Sequence, residues 1–229
     1  MKTIRNICVY CGSSEGADPR FSQAAEALGR AIALAGIGLV FGGGEDGLMG
    51  RLAHAALDSG GRVTGVIPTF LVRQEHALKA AQELIVVDDM HQRKQLMFER
   101  ADAFVALPGG VGTLEELVEQ LTWAQLQRHA KPVLIADIAG FWRPLLSLFA
   151  HMRNLGFVRE GFEVRYLVAE KIEDVLPMLE RAARGARTSL SSQPHSKAPP
   201  SQAKASPRAL PDPRLVSFCP GGSILEEAG

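Results

Sequence analysis

Cysteine is nearly missing from this 229-residue chain, which has only Cys8, Cys11 and Cys219. So small and odd a number excludes a disulfide framework. Apolar residues at 46% and charged residues at 22% supply a core without staples. No run approaches the ~18 apolar residues of a membrane helix. The N-terminus MKTIRNICVYCGSS carries Lys2 and Arg5 with no long apolar stretch behind them. Neither a secretory signal nor a membrane partner is therefore expected, and the cytoplasm is the simplest setting. Net charge is missing too, with 25 basic residues against 25 acidic. Proteins that coat nucleic-acid polymers or anionic membranes work through bulk positive charge, so neither class fits. The six histidines form no H-x-x-x-H pair. Cys8-x-x-Cys11 has no second pair to complete the roughly four ligands of a zinc site. As a redox motif it would need a helix N-terminus, whereas it lies along a strand candidate, where the two side chains face opposite sides. It reads as structural, and no metal or other cofactor is expected.

The zero net charge hides a split. Residues 184–229 hold seven of the 13 prolines and eight serines, with six basic against three acidic residues. Such a segment cannot bury enough surface to offset chain entropy and is expected to be a disordered tail. The body, 1–183, has nineteen basic against twenty-two acidic residues.

That body alternates short apolar runs with amphipathic stretches of helical length. Strands are expected at 4–10, 38–41, 62–67, 84–87, 103–107, 132–136 and 166–168. Helices are expected at 19–35, 48–58, 91–100, 114–128, 142–154 and 172–183. Most of the strands are continuous apolar runs, as in parallel sheets covered on both faces. The fold class is α/β: a Rossmann-like, doubly wound, mostly parallel sheet of about seven strands with helices on both faces. Ligands bind such sheets beyond the carboxyl ends of the strands.

Three expected strand ends carry glycine clusters: CGSS at 11–14, GGGEDGLMG at 42–50 and PGGVGTLEE at 108–116. Glycine lets the backbone approach a ligand closely, and the free N–H groups of a following helix start favour an anion. Three such loops on one edge suggest a site for a phosphorylated small molecule. Gly42, Gly44 and Gly47 also spell G-x-G-x-x-G, but the dinucleotide reading wants an acid about 20 positions on, and 63–70 holds none. Thr113 and Glu116 fit a capping box, with Thr113 as N-cap. That accounts for the Thr/Glu pair and leaves the glycines before it unexplained. MHQRKQLM at 90–97 opens the helix after the fourth strand. Spacing alone makes it a solvated basic turn, and nothing supports Lys94 as a pyridoxal-phosphate lysine.

With these segments in order and at these spacings, residues of about 4–180 resemble the Lonely Guy family of phosphoribohydrolases, long mislabelled as lysine decarboxylases. The decarboxylase label finds no support in the residues. The resemblance implies hydrolysis of the N-glycosidic bond of a nucleoside 5′-monophosphate, either a cytokinin riboside monophosphate or AMP, to free base and ribose 5-phosphate. It implies Arg93 and Glu116 as the catalytic pair. It places substrate contacts at Glu75, Arg93, Lys94, Gly110, Val111, Gly112, Thr113, Leu114, Glu115, Glu116 and Thr122. It also implies a homodimer with sites near the subunit interface. A broader nucleoside-monophosphate nucleosidase of salvage, or a molybdenum-cofactor carrier of the same fold, remains as an alternative; a carrier does not require the Arg93/Glu116 pair. Met49, Met90 and Met97 could line a prenyl pocket or simply belong to the core.

Overall fold

The structure is a computed structural model that describes residues 4–191 except Glu75 and Glu160, with side chains up to residue 185. All of these lie in the first of two compact units, Met1–Gln193 and Pro194–Gly229. From residue 192 on, the expected tail is outside the described residues.

Along the first strand, β1 (Asn6–Tyr10), side chains alternate between two separate cores. Ile7 and Val9, with Cys11 just beyond, enter one; Cys8 and Tyr10 enter the other. The two cysteines of the C-x-x-C are thus parted by the sheet. The chain then alternates: α1 (Pro19–Leu34), β2 (Gly38–Phe41), α2 (Gly47–Asp58), β3 (Arg62–Pro68), β4 (Glu83–Val87), α3 (Met90–Arg100), β5 (Ala103–Ala106), α4 (Val111–Gln125), β6 (Val133–Ala136), α5 (Arg143–Asn154), β7 (Leu167–Ala169) and α6 (Ile172–Ser191). The boundary expected after residue 183 falls inside α6.

All seven strands are parallel, in the order β4-β3-β2-β1-β5-β6-β7. The central strands β2, β5 and β6 are buried at every position, which is why they read as unbroken apolar runs. One core receives side chains from α1, α2 and α6; the other is packed by α3, α4 and α5. Each fully buried side chain such as Leu28 or Ile32 contributes about 1.5–3 kcal/mol relative to exposure. The α1 start is set by Pro19 and by Asp18, whose carboxylate accepts the Arg20 N–H at 2.9 Å.

The winding positions the site. The chain builds outward from β1 to β4, then returns to lay β5 on the other side of β1. Helices after these two strands diverge to opposite faces, opening a crevice at their carboxyl ends. Among the described residues no helix is long and apolar enough to cross a membrane.

Candidate active site

The three glycine loops leave the same sheet edge and brace one another. Gly12 N–H donates to Pro108 O at 3.1 Å, and Leu48 N–H donates to Gly12 O at 3.0 Å. The first loop is therefore clamped between the other two. Gly47 has φ +59°, and a Cβ there would fall 2.3 Å from the Ser13 carbonyl carbon. Only glycine allows both the turn and the contact.

The start of α4 corrects the capping box. Gly110 is the N-cap, with φ −86° and ψ −160° and no side-chain cap, and the helix begins at Val111. The first intrahelical bond runs from Leu114 N–H to Gly110 O at 3.0 Å. Thr113 is thus the third helical residue, and the helix starts three residues earlier than expected. The N–H groups of Val111, Gly112 and Thr113 belong to the orphan donors of a first turn. A Cβ built at Gly110 or Gly112 meets no atom within 4 Å. Internal packing does not demand glycine at either position, and both leave open space at the helix start.

Arg93 comes from the opposite wall. Asp89 caps α3 by accepting the Gln92 N–H at 2.8 Å, which places Arg93 one turn in and facing the sheet. Its Nε donates to Val66 O at 3.1 Å and its Nη2 to Gly42 O at 2.9 Å. A Cβ at Gly42 would lie 2.1 Å from Nη2. The glycine loop after β2 therefore serves first to seat this guanidinium.

Arg93 and Glu116 are only 6% and 8% exposed, and both line one cavity of about 220 Å³. Thr113, Gly110, Val111 and Gly112 form its rim, Met49, Met90 and Met97 an apolar wall, and Tyr10, Cys11 and Ser13 its floor. The Cys11 thiol is pushed up by burial and then by the Glu116 charge, with Arg93 pulling the other way. Both charges thus act on one point at the end of β1. Tyr10 had no sequence signal beyond its place as the last residue of the first strand, at the edge where ligands bind.

Among the described residues, the remaining expected contacts are not brought into this cavity. Lys94, about 100° further round α3, pairs with Glu115 and, at 3.1 Å, with Glu119. Glu115 and Thr122 are on the outer side of α4, and the Thr122 hydroxyl donates to Val118 O at 2.7 Å. Leu114 packs against the core on the α4 face. Glu75 lies outside the described residues. Its neighbour His76 holds the second loop: its carbonyl accepts the Glu45 N–H at 2.9 Å and its Nδ1 meets Asp46 at 2.8 Å.

A larger cavity, about 680 Å³, opens at the opposite sheet edge beside Val133 and Leu167. Among its polar side chains, His129 and Lys131 are committed to Gln120 O at 3.1 Å and Phe98 O at 2.7 Å. It lies at the amino ends of β6 and β7, away from the carboxyl edge where ligands bind such sheets.

A family model described as possible lysine decarboxylase matches residues 49–179. A cytokinin riboside 5′-monophosphate phosphoribohydrolase of Rhodococcoides fascians is 48% identical over 175 residues, covering 76% of this chain and 88% of that protein. A phosphoribohydrolase of the same name from Oryza sativa subsp. japonica is 42% identical over 199 residues, 86% of this chain and 82% of its own. Among solved structures, a molybdenum cofactor binding protein from Rippkaea orientalis superposes with a TM-score of 0.58 at 25% identity, over 77% of this chain and 95% of that one.

Proposed function

The chain belongs to the family that carries the description possible lysine decarboxylase and includes the cytokinin riboside 5′-monophosphate phosphoribohydrolases, and we propose that it hydrolyses the N-glycosidic bond of such nucleotides. The observation that carries this reading is the buried Arg93 and Glu116 on one small cavity rimmed by a bare helix start. Burying two charged groups is costly, and such pairs in clefts mark sites of chemistry. Lys94, the lysine a Schiff-base decarboxylase would need, is held in carboxylate pairs outside the cavity.

The substrate phosphate takes the N–H groups of Val111, Gly112 and Thr113, where the helix dipole favours an anion. Glu116, one turn further and inside, then faces the sugar. Water adds to C1′ as the C1′–N9 electron pair leaves with the base, which takes up a proton. Positive charge builds on the ribose as this bond breaks. The Glu116 carboxylate stabilises that charge and accepts the proton of the attacking water. Arg93, fixed by two backbone carbonyls, supplies a rigid cation across the cavity for the phosphate or the leaving base. The products are free base and ribose 5-phosphate.

The chain acts as a homodimer in this reading. The outer stripe of α4 exposes Val111 by 83%, Val118 by 39% and, just past the helix, Leu126 by 58%. Thr122 and Glu115 lie among them. The activity belongs to residues 1–183, works in the cytoplasm and needs no cofactor.

The test is release of free base from AMP and from its N6-isopentenyl derivative, followed by chromatography. Glu116→Gln should retain nucleotide binding and lose at least about 100-fold in kcat. A variant with near wild-type kcat removes Glu116 from the chemistry. If no nucleotide yields base, a non-catalytic carrier of this fold is the better description.

A further inference from the structure

Five buried side-chain polar atoms have no hydrogen-bond partner among the described residues: Tyr10 Oη, Glu119 Oε2, Gln120 Oε1, Gln120 Nε2 and Trp142 Nε1. The first four belong to the helix of Glu116 or to the strand end that floors its cavity. Gln120 is completely buried, one turn beyond Glu116 on the inward face of α4. Residues four apart on a helix are neighbours. Its backbone carbonyl accepts from His129, while both ends of its amide remain unsatisfied. Tyr10 lines the Glu116 cavity, and its buried hydroxyl is set beside the weak thiol of Cys8. Burial pushes its phenol up, and the neighbouring Cys8 thiol and the Glu116 and Glu119 carboxylates push it further. Both carboxylates are therefore within electrostatic reach of this hydroxyl. The other Glu119 oxygen bonds Lys94 Nζ at 3.1 Å, which joins the cluster to the surface pair with Glu115.

Orphaned polar atoms of this kind are rare in native interiors and are met by ordered water. A phenol, a carboxylate oxygen and an amide with both donor and acceptor are the kinds of group that bond a buried water. We propose that Tyr10 and Gln120 are positioning residues that hold buried water behind Glu116 and so fix the orientation and proton affinity of its carboxylate. The inference rests on Glu116 being the reacting carboxylate. A hydrogen bond donated to the ionised carboxylate favours its charged form, the form that accepts a proton from the attacking water. The groups facing this position are Arg93 from α3, Cys8, Tyr10 and Cys11 from β1, and Glu119 on its own helix, with Lys94 and Glu115 further out. His129 beyond Gln120 is kept towards its neutral form by burial.

Tyr10→Phe and Gln120→Leu in the full chain test this through kcat and KM for AMP across pH, with Glu116→Gln as control. Tyr10→Phe removes one oxygen and leaves the ring stacked on Phe104 at 6.0 Å. It therefore keeps the test valid should Gln120→Leu fail to fold. Each folded variant should lose about 10- to 100-fold in kcat, with KM little changed. Its acid limb should move upward by about half to one pH unit, the size of one lost hydrogen bond. A merely structural role would shift Tm and leave the limb in place. An unchanged kcat and limb in Tyr10→Phe, with Glu116→Gln inactive, overturns this proposal alone. An active Glu116→Gln overturns the reading of the site beneath it.

Discussion

Gly112→Ala separates what the fold needs from what the ligand needs. Gly112 is the second residue of α4, its φ is not positive, and a Cβ there meets nothing within 4 Å. Alanine should therefore improve the helix by about 0.5–1 kcal/mol, through lower unfolded-chain entropy and better propensity. For a chain of this size that is a rise in Tm of roughly 1–4 °C. The new methyl group stands on the rim where the phosphate approaches the Gly112 N–H. A displacement of about 1 Å there should cost on the order of 100-fold in kcat/KM, or about 2.7 kcal/mol of transition-state stabilisation. kcat/KM is the right measure, because binding energy from a remote phosphate also supports the chemical step. Differential scanning fluorimetry and the base-release assay read the two effects separately. A lowered Tm would refute the claim that packing leaves this position open. An unchanged kcat/KM would refute the claim that the nucleotide comes close to this helix start.

Gly42→Ala should give the opposite pattern, losing both stability and turnover. Its Cβ would sit 2.1 Å from Arg93 Nη2 and 3.0 Å from Met49 Sδ, an overpacking that costs about 1–3 kcal/mol; a variant with wild-type Tm and kcat would disprove the seat assigned to Arg93. His76 should titrate above the ordinary imidazole value of 6.5, because its hydrogen bond to Asp46 favours the protonated ring. The pairing is then fully present below that value and fades as pH rises through the elevated midpoint. An NMR titration that puts the midpoint at or below 6.5 in the wild type, or leaves it unmoved in Asp46→Asn, would contradict this.

Much of this architecture is legible in the residues because buried parallel strands leave a plain mark. GLVF, AFVA and VLIA are buried at every position, so each reads as an unbroken apolar run. The start of α4 is not legible in the same way. Thr113-x-x-Glu116 satisfies a rule about side-chain capping, yet the cap is Gly110, which contributes only backbone. The rule weighed the residues with side chains and passed over the one without. Nor does the adjacent pair Arg93-Lys94 say which member points inward. That depends on where α3 begins, and the Asp89 cap decides it. Gln120 did leave a mark, a polar residue within the inward stripe of Glu116, Leu117 and Leu121. Periodicity treats such a residue as an interruption of the apolar face.

The same wheel geometry decides what Thr122 can do. It lies six residues beyond Glu116, roughly 240° round a helix that advances 100° per residue. Within one chain its exposed hydroxyl cannot serve a cavity that Glu116 faces from the buried side. If Thr122 contacts nucleotide at all, it contacts nucleotide held by another copy. A partner seated on the stripe of Val111, Val118 and Leu126 would bring it there. Thr122→Val keeps the shape and removes the hydroxyl. In a shared site it should raise KM by roughly 2- to 10-fold, the worth of one hydrogen bond. In a monomer acting alone it should change nothing. Specific activity should also fall on dilution as subunits separate. A species that light scattering shows to be monomeric, with full activity and an unaffected Thr122→Val variant, would mean that each chain completes its own site and that the apolar stripe on α4 has another purpose.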